Sequence, residues 1–147
     1  MAETIEWILR NRTGEIWTVP PGTTVYDALA LMAEKEIGSL MVIEGTRLLG
    51  IVSERDYARK VILQGRHSKD TLVQEIMTSP AITVTRQHTV EECMRLMTHH
   101  RVRYLPVMEG NRLAGVVSIG DLVNAIISDQ AHTIHQLHTY IGAKYPV

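Results

Sequence analysis

The chain has 147 residues, of which 45% are apolar, so it can form one ordinary domain or two small halves that pack together. Its formal net charge of −1 lacks the basic excess that is typical of nucleic-acid-binding surfaces. The single cysteine, Cys93, excludes an internal disulfide framework and fits a reducing compartment. The acidic N-terminus differs from a signal peptide, and no apolar run approaches the ~18 residues that span a membrane. We therefore expect a cytoplasmic protein that binds neither nucleic acid nor membrane.

The first half of the chain predicts a short helix followed by a β-α-β-β-α unit. Residues 3–12 place Ile5, Ile8 and Leu9 on one helical face. The elements that follow are a strand over 16–19, a helix with an apolar stripe at Val25, Ala28, Leu29 and Met32, a strand over 40–43, a turn over 44–46, a strand over 48–52 and a helix from about 56 to 63. The two strands on either side of the turn predict a hairpin.

The same pattern begins again 65 positions later, after a polar segment. Residues 83–84 repeat 18–19, and residues 105–118 repeat 40–53, with the helical stripe between them at Val90, Cys93, Met94 and Met97. A period this long is not that of a solenoid, so we predict a pseudo-twofold pair of repeats. The predicted limits are 1–64 for the first repeat, 65–70 for the linker, 71–128 for the second repeat and 129–147 for a C-terminal helix and tail.

Each repeat closes with an apolar run and then Ser-x-x-Asp, at 53–56 and at 118–121. The apolar run predicts a buried strand and the next residues predict a helix, so the motif lies at a helix N-terminus. Free backbone N–H groups favour an anion at such a point. Ser at the N-cap and Asp at N3 also form a capping box, which only closes the helix. Both interpretations stay open for one copy, and the doubling favours a function at the crevice between the halves.

The doubled unit, with its Gly before the second hairpin strand and its Ser-x-x-Asp, resembles a tandem pair of cystathionine β-synthase (CBS) domains, called a Bateman module. The resemblance covers about residues 5–128. It implies an α/β (α+β) fold with two β-α-β-β-α repeats. It also implies two crevices that bind adenosine-containing ligands, with AMP expected first and ADP, ATP, NAD or S-adenosylmethionine as alternatives. Members of the family pair as homodimers, so the same is expected of this chain.

The resemblance also assigns residues to the two crevices. Asp56 and Asp121 would hold the ribose, because a carboxylate has two acceptor oxygens for a diol, and Ser53 and Ser118 would donate to ribose or phosphate. The crevice closed by Ser118 and Asp121 would take its adenine contacts from Thr13, Trp17, Ile37 and Gly38. The crevice closed by Ser53 and Asp56 would take them from Thr78, Ile82, Val102 and Arg103. Trp17 could equally be a core residue.

The expected phosphate contacts differ between the repeats. Arg101, Arg103 and Tyr104 precede a strand of the second repeat, whereas Glu36, Gly38 and Ser39 stand at the matching positions of the first. Arg55 and Arg59 flank Asp56 and would compensate there, while Gly120 beside Asp121 allows a ligand to approach the backbone closely. We expect the crevice of Asp121 to bind a mononucleotide more tightly. The alternative for Arg101 and Arg103 is a solvated helix end.

Structural roles are favoured over functional ones for the other candidate residues. His132, His135 and His138 recur every third residue on a predicted helix over about 129–142, where a solvated or dimer-contacting face is favoured over a metal site. Cys93 lies on an apolar stripe and is expected in the core. No catalytic triad, P-loop or dinucleotide fingerprint is visible.

The sequence therefore predicts a non-catalytic adenine-nucleotide sensor that acts on a separate partner protein. Two alternatives remain. The first is a structural dimerisation module without a ligand, in which the Ser-x-x-Asp copies are only capping boxes. The second is a small enzyme acting on nucleotides, which the lack of a metal-binding acidic cluster or a nucleophile–base pair disfavours.

Overall fold

The computed structural model describes residues 4–11 and 16–128, and every statement below concerns these residues. The helices are Ile5–Arg10 (α1), Val25–Lys35 (α2), Glu54–Lys60 (α3), Val73–Ile76 (α4), Val90–His100 (α5) and 119–128 (α6). The strands are Thr18–Val19 (β1), Ser39–Glu44 (β2), Arg47–Ser53 (β3), Tyr104–Glu109 (β4) and Arg112–Ser118 (β5). This mixed α+β order confirms the predicted fold class.

The chain divides into two compact units that do not follow the repeats along the sequence. One unit contains the described residues within 14–83 and 106–116, and the other contains the described residues within 1–13, 84–105 and 117–147. The boundary therefore passes through strands β4 and β5. The predicted limits of the repeats, the linker and the tail stay predictions.

Both predicted hairpins are confirmed. Strand β2 pairs antiparallel with β3, and β1 lies parallel to β2 with Val19 opposite Val42. Strands β4 and β5 form a two-stranded sheet. Each hairpin turns at a glycine with positive φ, 64° at Gly45 and 63° at Gly110, where a side chain would be strained.

The first strand is shorter than predicted. Only Thr18–Val19 pairs with β2, and Ile16 and Trp17 lie before the paired segment. Pro20 follows it and has no backbone N–H to continue the pairing. Its counterpart in the second repeat is a single bridge position at Val84. Val19 and Val84 are nevertheless both buried.

Helices α2 and α5 are equivalent in the two repeats and have the predicted apolar stripes. The side chain of Thr24 accepts a hydrogen bond from Asp27 N, and that of Thr89 accepts one from Glu92 N. Both helices end at a residue in the left-handed region, Glu36 at φ 54° and Arg101 at φ 55°. Their buried residues are Val25, Ala28 and Met32 in α2, and Val90, Cys93 and Met97 in α5.

The helix after β3 begins earlier and ends earlier than predicted. Ser53 caps it, so it starts at Glu54, and it stops at Lys60. A 3-10 turn at Ile62–Gln64 follows and ends at Gly65, which has φ 71°. Val61 points into the core of its unit between these two segments, which explains why the apolar pattern extended the predicted helix.

Candidate functional site

The first Ser-x-x-Asp turn, residues 53–56, joins β3 to α3. Ser53 N donates to Asp56 Oδ2 over 2.9 Å, and Asp56 N donates to Ser53 Oγ over 3.2 Å. The Ser53 hydroxyl also donates to Asp56 Oδ2 over 3.1 Å. These bonds form a complete capping box, so the turn holds the Asp56 carboxylate in a fixed orientation.

The second Ser-x-x-Asp turn, residues 118–121, joins β5 to α6 in the same way. Ser118 N donates to Asp121 Oδ2 over 2.7 Å, and Asp121 N donates to Ser118 Oγ over 3.1 Å. Both aspartates are half-buried. The sequence therefore builds one local geometry twice, and in both copies the capping interpretation describes real bonds.

Each turn is fixed to the segment that precedes the first strand of its own hairpin. Glu54 N donates to the Gly38 carbonyl over 3.1 Å, and Ile119 N donates to the Arg103 carbonyl over 2.9 Å. These two bonds occupy equivalent positions in the two repeats. Gly38 and Arg103 thus lie beside the turns of their own repeats, while their predicted adenine contacts in the opposite crevices stay predictions.

Lys60 is a functional candidate that the sequence analysis missed. Its Nζ lies 3.3 Å from Asp56 Oδ1 and donates to the Ile76 carbonyl over 2.8 Å. The cations expected beside Asp56 are Arg55 and Arg59, and both are exposed. The spacing of Asp56 and Lys60, four residues apart on one helix, is the signal that could have identified the pair.

A second segment pairs with β3 just before the first turn. Thr78 N donates to the Ile51 carbonyl over 2.9 Å, and Ile51 N donates to the Thr78 carbonyl over 3.1 Å. A Cβ on Gly50 would lie 2.5 Å from the Thr78 carbonyl oxygen, so only glycine permits this approach. The predicted contact residue Thr78 is therefore brought to the same end of β3 as Ser53.

Two predicted adenine contacts in the first repeat pack against the apolar core. Trp17 and Ile37 are half-buried and lie against the buried cluster of their unit. The Lys35 ammonium stands 4.1 Å from the centre of the Trp17 ring, a cation–π contact that covers part of one ring face. Trp17 thus has a structural role, and its contact with a ligand stays a prediction.

The remaining predicted residues fall into three groups. Thr13 lies outside the described residues, as do His132, His135 and His138. Arg103, Arg101, Arg59 and Gly120 are exposed. Tyr104, Val102 and Ile82 are half-buried.

Cys93 is fully buried on α5, as expected for a core residue. Burial raises the pKa of its thiol to about 11, and the neighbouring charge of Glu92 contributes in the same direction. A thiol with this pKa is almost entirely protonated at neutral pH, which makes it a poor nucleophile.

Residues 4–11 and 16–128 contain neither a metal-binding cluster nor a helix that could cross a membrane. No group of three or more His, Cys, Asp or Glu side chains there could hold a metal ion. The helices of that part of the chain are all too short or too polar to cross a membrane.

Comparison with known proteins gives the class of protein to which these features belong. The sequence model of the CBS domain matches twice, at residues 12–62 and 73–128, so the chain belongs to the CBS domain family. The two matches confirm the tandem pair.

Three relatives illustrate the family. The "CBS domain-containing protein CBSX3, mitochondrial" of Arabidopsis thaliana is 43% identical over 127 residues, which are 83% of this chain and 62% of that protein. A structure from Burkholderia ambifaria, described as a signal-transduction protein with CBS domains, is 51% identical with a TM-score of 0.84 and covers 87% of this chain and 96% of that one. A CBS-CP12 protein from bloom-forming cyanobacteria, described as hexameric, is 30% identical with a TM-score of 0.74 and covers 97% of this chain and 89% of that one.

Proposed function

We propose that the protein is a non-catalytic regulatory module that binds an adenine nucleotide at its Ser-x-x-Asp turns and acts on a partner protein. AMP is the first ligand to test, and ADP, ATP and NAD share the adenosine that the aspartates would hold. A ligand with different affinities for two conformations would shift their populations and so transmit a signal.

The repeated geometry of the two turns carries this proposal. Asp56 and Asp121 are half-buried and each is oriented by hydrogen bonds from the serine three residues before it. A carboxylate held in this way can accept hydrogen bonds from both hydroxyls of a ribose diol. Membership of the CBS family, which includes the Burkholderia protein described as acting in signal transduction, supports a regulatory role.

A thermal-shift panel tests the proposal. Because a ligand that binds only the native state raises the melting temperature, AMP, ADP, ATP and NAD at millimolar concentration should each be compared with GMP and GTP. We expect adenine compounds to raise the melting temperature and guanine compounds to leave it unchanged. Changing both Asp56→Asn and Asp121→Asn should remove the shift. Asp70→Asn, which deletes an exposed carboxylate in a 3-10 turn, is the matched control.

A structural dimerisation module is the second candidate, and a specific observation favours it. Both turns already satisfy the N-cap and N3 groups as capping boxes without a ligand. If no adenosine compound shifts the melting temperature, the sensor proposal is wrong and this candidate takes its place.

We also propose that the protein forms a homodimer. Helix α6 exposes Ile119, Val123 and Ile127, at 40%, 40% and 56%, and their spacing places them on one face. Such an apolar stripe suits a second copy of the chain, and the cyanobacterial relative is described as an oligomer. Light scattering should give twice the chain mass of 16.5 kDa, and a stable monomer at micromolar concentration would contradict the proposal.

A further inference from the structure

Lys60 links the carboxylate of the first Ser-x-x-Asp turn to the end of another helix. Its ammonium lies 3.3 Å from Asp56 Oδ1 and 2.8 Å from the carbonyl of Ile76, the last residue of α4. The Asp56 side chain is only 14% exposed, whereas that of Lys60 is 46% exposed. The ammonium is therefore held by two acceptors on a side chain that remains partly exposed.

The bond from Lys60 to the Ile76 carbonyl places the lysine ammonium beside the segment that pairs with β3. Met77 and Thr78 follow Ile76 directly, and Thr78 exchanges two backbone hydrogen bonds with Ile51. Lys60 also supplies a donor to one of the terminal carbonyls of α4, which have no partner within the helix. One side chain thus connects the predicted ribose carboxylate with the backbone that leads to a predicted adenine contact.

The second repeat has no equivalent of this cation on its helix. The position four residues after Asp121 is Ala125, which is 2% exposed and carries no charge. The turns are otherwise alike in their serine and aspartate bonds. One difference between the two turns is therefore the lysine of α3 and its alanine counterpart in α6.

We propose that Lys60 is a positioning residue that makes the first turn select ligands by their phosphate charge. This inference rests on the proposed adenine-nucleotide binding. The bonds with Ser53 already orient the Asp56 carboxylate, and Lys60, 3.3 Å from Asp56 Oδ1, offsets its negative charge, which would otherwise repel a phosphate near the ribose. A phosphate next to a bound ribose lies within the ~8 Å over which charges act at physiological salt. The ribose diol is uncharged, so its binding does not depend on the charge of Lys60 in this way.

Calorimetry on a chain with one site removed tests this inference. Asp121→Ala leaves only the first turn, and Lys60→Met then deletes the ammonium while retaining most of the alkyl chain. We expect the Kd of AMP to rise about three- to tenfold and that of ATP to rise more, as for the loss of one charge pair at a partly exposed site. The Kd of adenosine should change by less than about twofold, and the AMP effect should shrink at high salt.

Two further variants separate positioning from a structural role. Lys60→Arg should restore the ratio of the adenosine and AMP affinities, because it returns a cation to the same position. Lys69→Met is the matched control, since it removes the same charge from a side chain that contacts the Tyr26 ring instead of the turn. We expect it to leave all three affinities unchanged.

Each other outcome overturns the inference. Equal weakening of adenosine, AMP and ATP by Lys60→Met would mean that the residue only supports the fold. Unchanged affinities would mean that its charge does not act on the ligand. If AMP, ATP and adenosine all fail to bind the unmutated chain, the proposed function fails as well, which distinguishes that result from the first two.

Discussion

The two Ser-x-x-Asp turns have the same backbone conformation, but their repeats carry different charges at equivalent positions. Both aspartates accept from the backbone N–H of the serine, over 2.9 Å and 2.7 Å, and both turns are fixed to the segment before the hairpin. At equivalent positions of the sequence, the first repeat carries Glu36 and Lys60, whereas the second carries Arg101 and Ala125. Duplication has therefore kept the conformation and changed the electrostatics.

The comparison shows which features depend on residue identity. Glu36 and Arg101 have opposite charges, yet both adopt the left-handed conformation that ends a helix, at φ 54° and 55°. Their backbone role is therefore independent of their side chains. Lys60 and Ala125 differ in what they can contact, because only the lysine reaches an aspartate and a carbonyl.

The largest expected effect tests whether the two repeats contribute equally to stability. Met32 and Met97 are equivalent, and each is 2% exposed in its helix. Met32→Ala and Met97→Ala should each cost about 2–5 kcal/mol in the free energy of unfolding, because each leaves a cavity. Urea denaturation measures this, with the half-buried Met94→Ala as a milder control. A loss in one variant only would break the equivalence of the two cores.

The next prediction concerns the segment that pairs with β3. Gly50→Ala places a Cβ 2.5 Å from the Thr78 carbonyl oxygen, so the segment must move. We expect a loss of about 1–3 kcal/mol in the free energy of unfolding, as for other overpacked sites. Gly22→Ala is the control, since nothing lies within 4 Å of its Cβ. Equal stability of both variants would show that residues 77–79 shift at no cost.

The next largest expected effect is a difference in AMP affinity between the two turns. We predict that the second turn binds AMP more tightly, since Gly120 permits close approach and Arg103, whose backbone carbonyl accepts from Ile119 N, can supply a positive charge. Asp121→Ala should weaken AMP binding about ten- to a hundredfold, because hydrogen bonds to a charged group contribute roughly 1.5–3 kcal/mol. Asp56→Ala should leave the tighter site largely intact. Equal losses by calorimetry would remove the asymmetry.

The smallest effect is a pH dependence at the start of α5. Hydrogen bonds from Thr89, first from its backbone N–H, lower the pKa of Glu92 below the ordinary value of 4.5. A carboxyl whose pKa is lower in the folded state stabilises the fold above its unfolded pKa and loses that contribution as the pH falls through the folded value. The stability difference between the unmutated chain and Glu92→Gln should therefore shrink below about pH 4.5.

The control for this measurement is Glu91→Gln. Glu91 is the exposed neighbour of Glu92 and pairs with Arg95 instead of the N-cap. Thermal denaturation at pH 7 and at pH 3 should show a larger change for Glu92→Gln than for Glu91→Gln. The same dependence in both would assign the effect to general charge repulsion.

The sequence by itself determined the tandem repeat, both hairpins and the apolar stripes of α2 and α5, because these depend on local periodicity and turn residues. It also located the two Ser-x-x-Asp turns, since the capping box is a contact between residues three positions apart.

Only the tertiary structure decided which distant residues meet these local elements. Thr78 pairs with Ile51, and Lys60 contacts Ile76. Both contacts join positions far apart in sequence, so no local pattern predicts them. The same reason explains the length of β1, which is set by how much of β2 it pairs with. The contact of Lys60 with Asp56 is different, because residues four positions apart on a helix share a face, so the sequence alone could have predicted it.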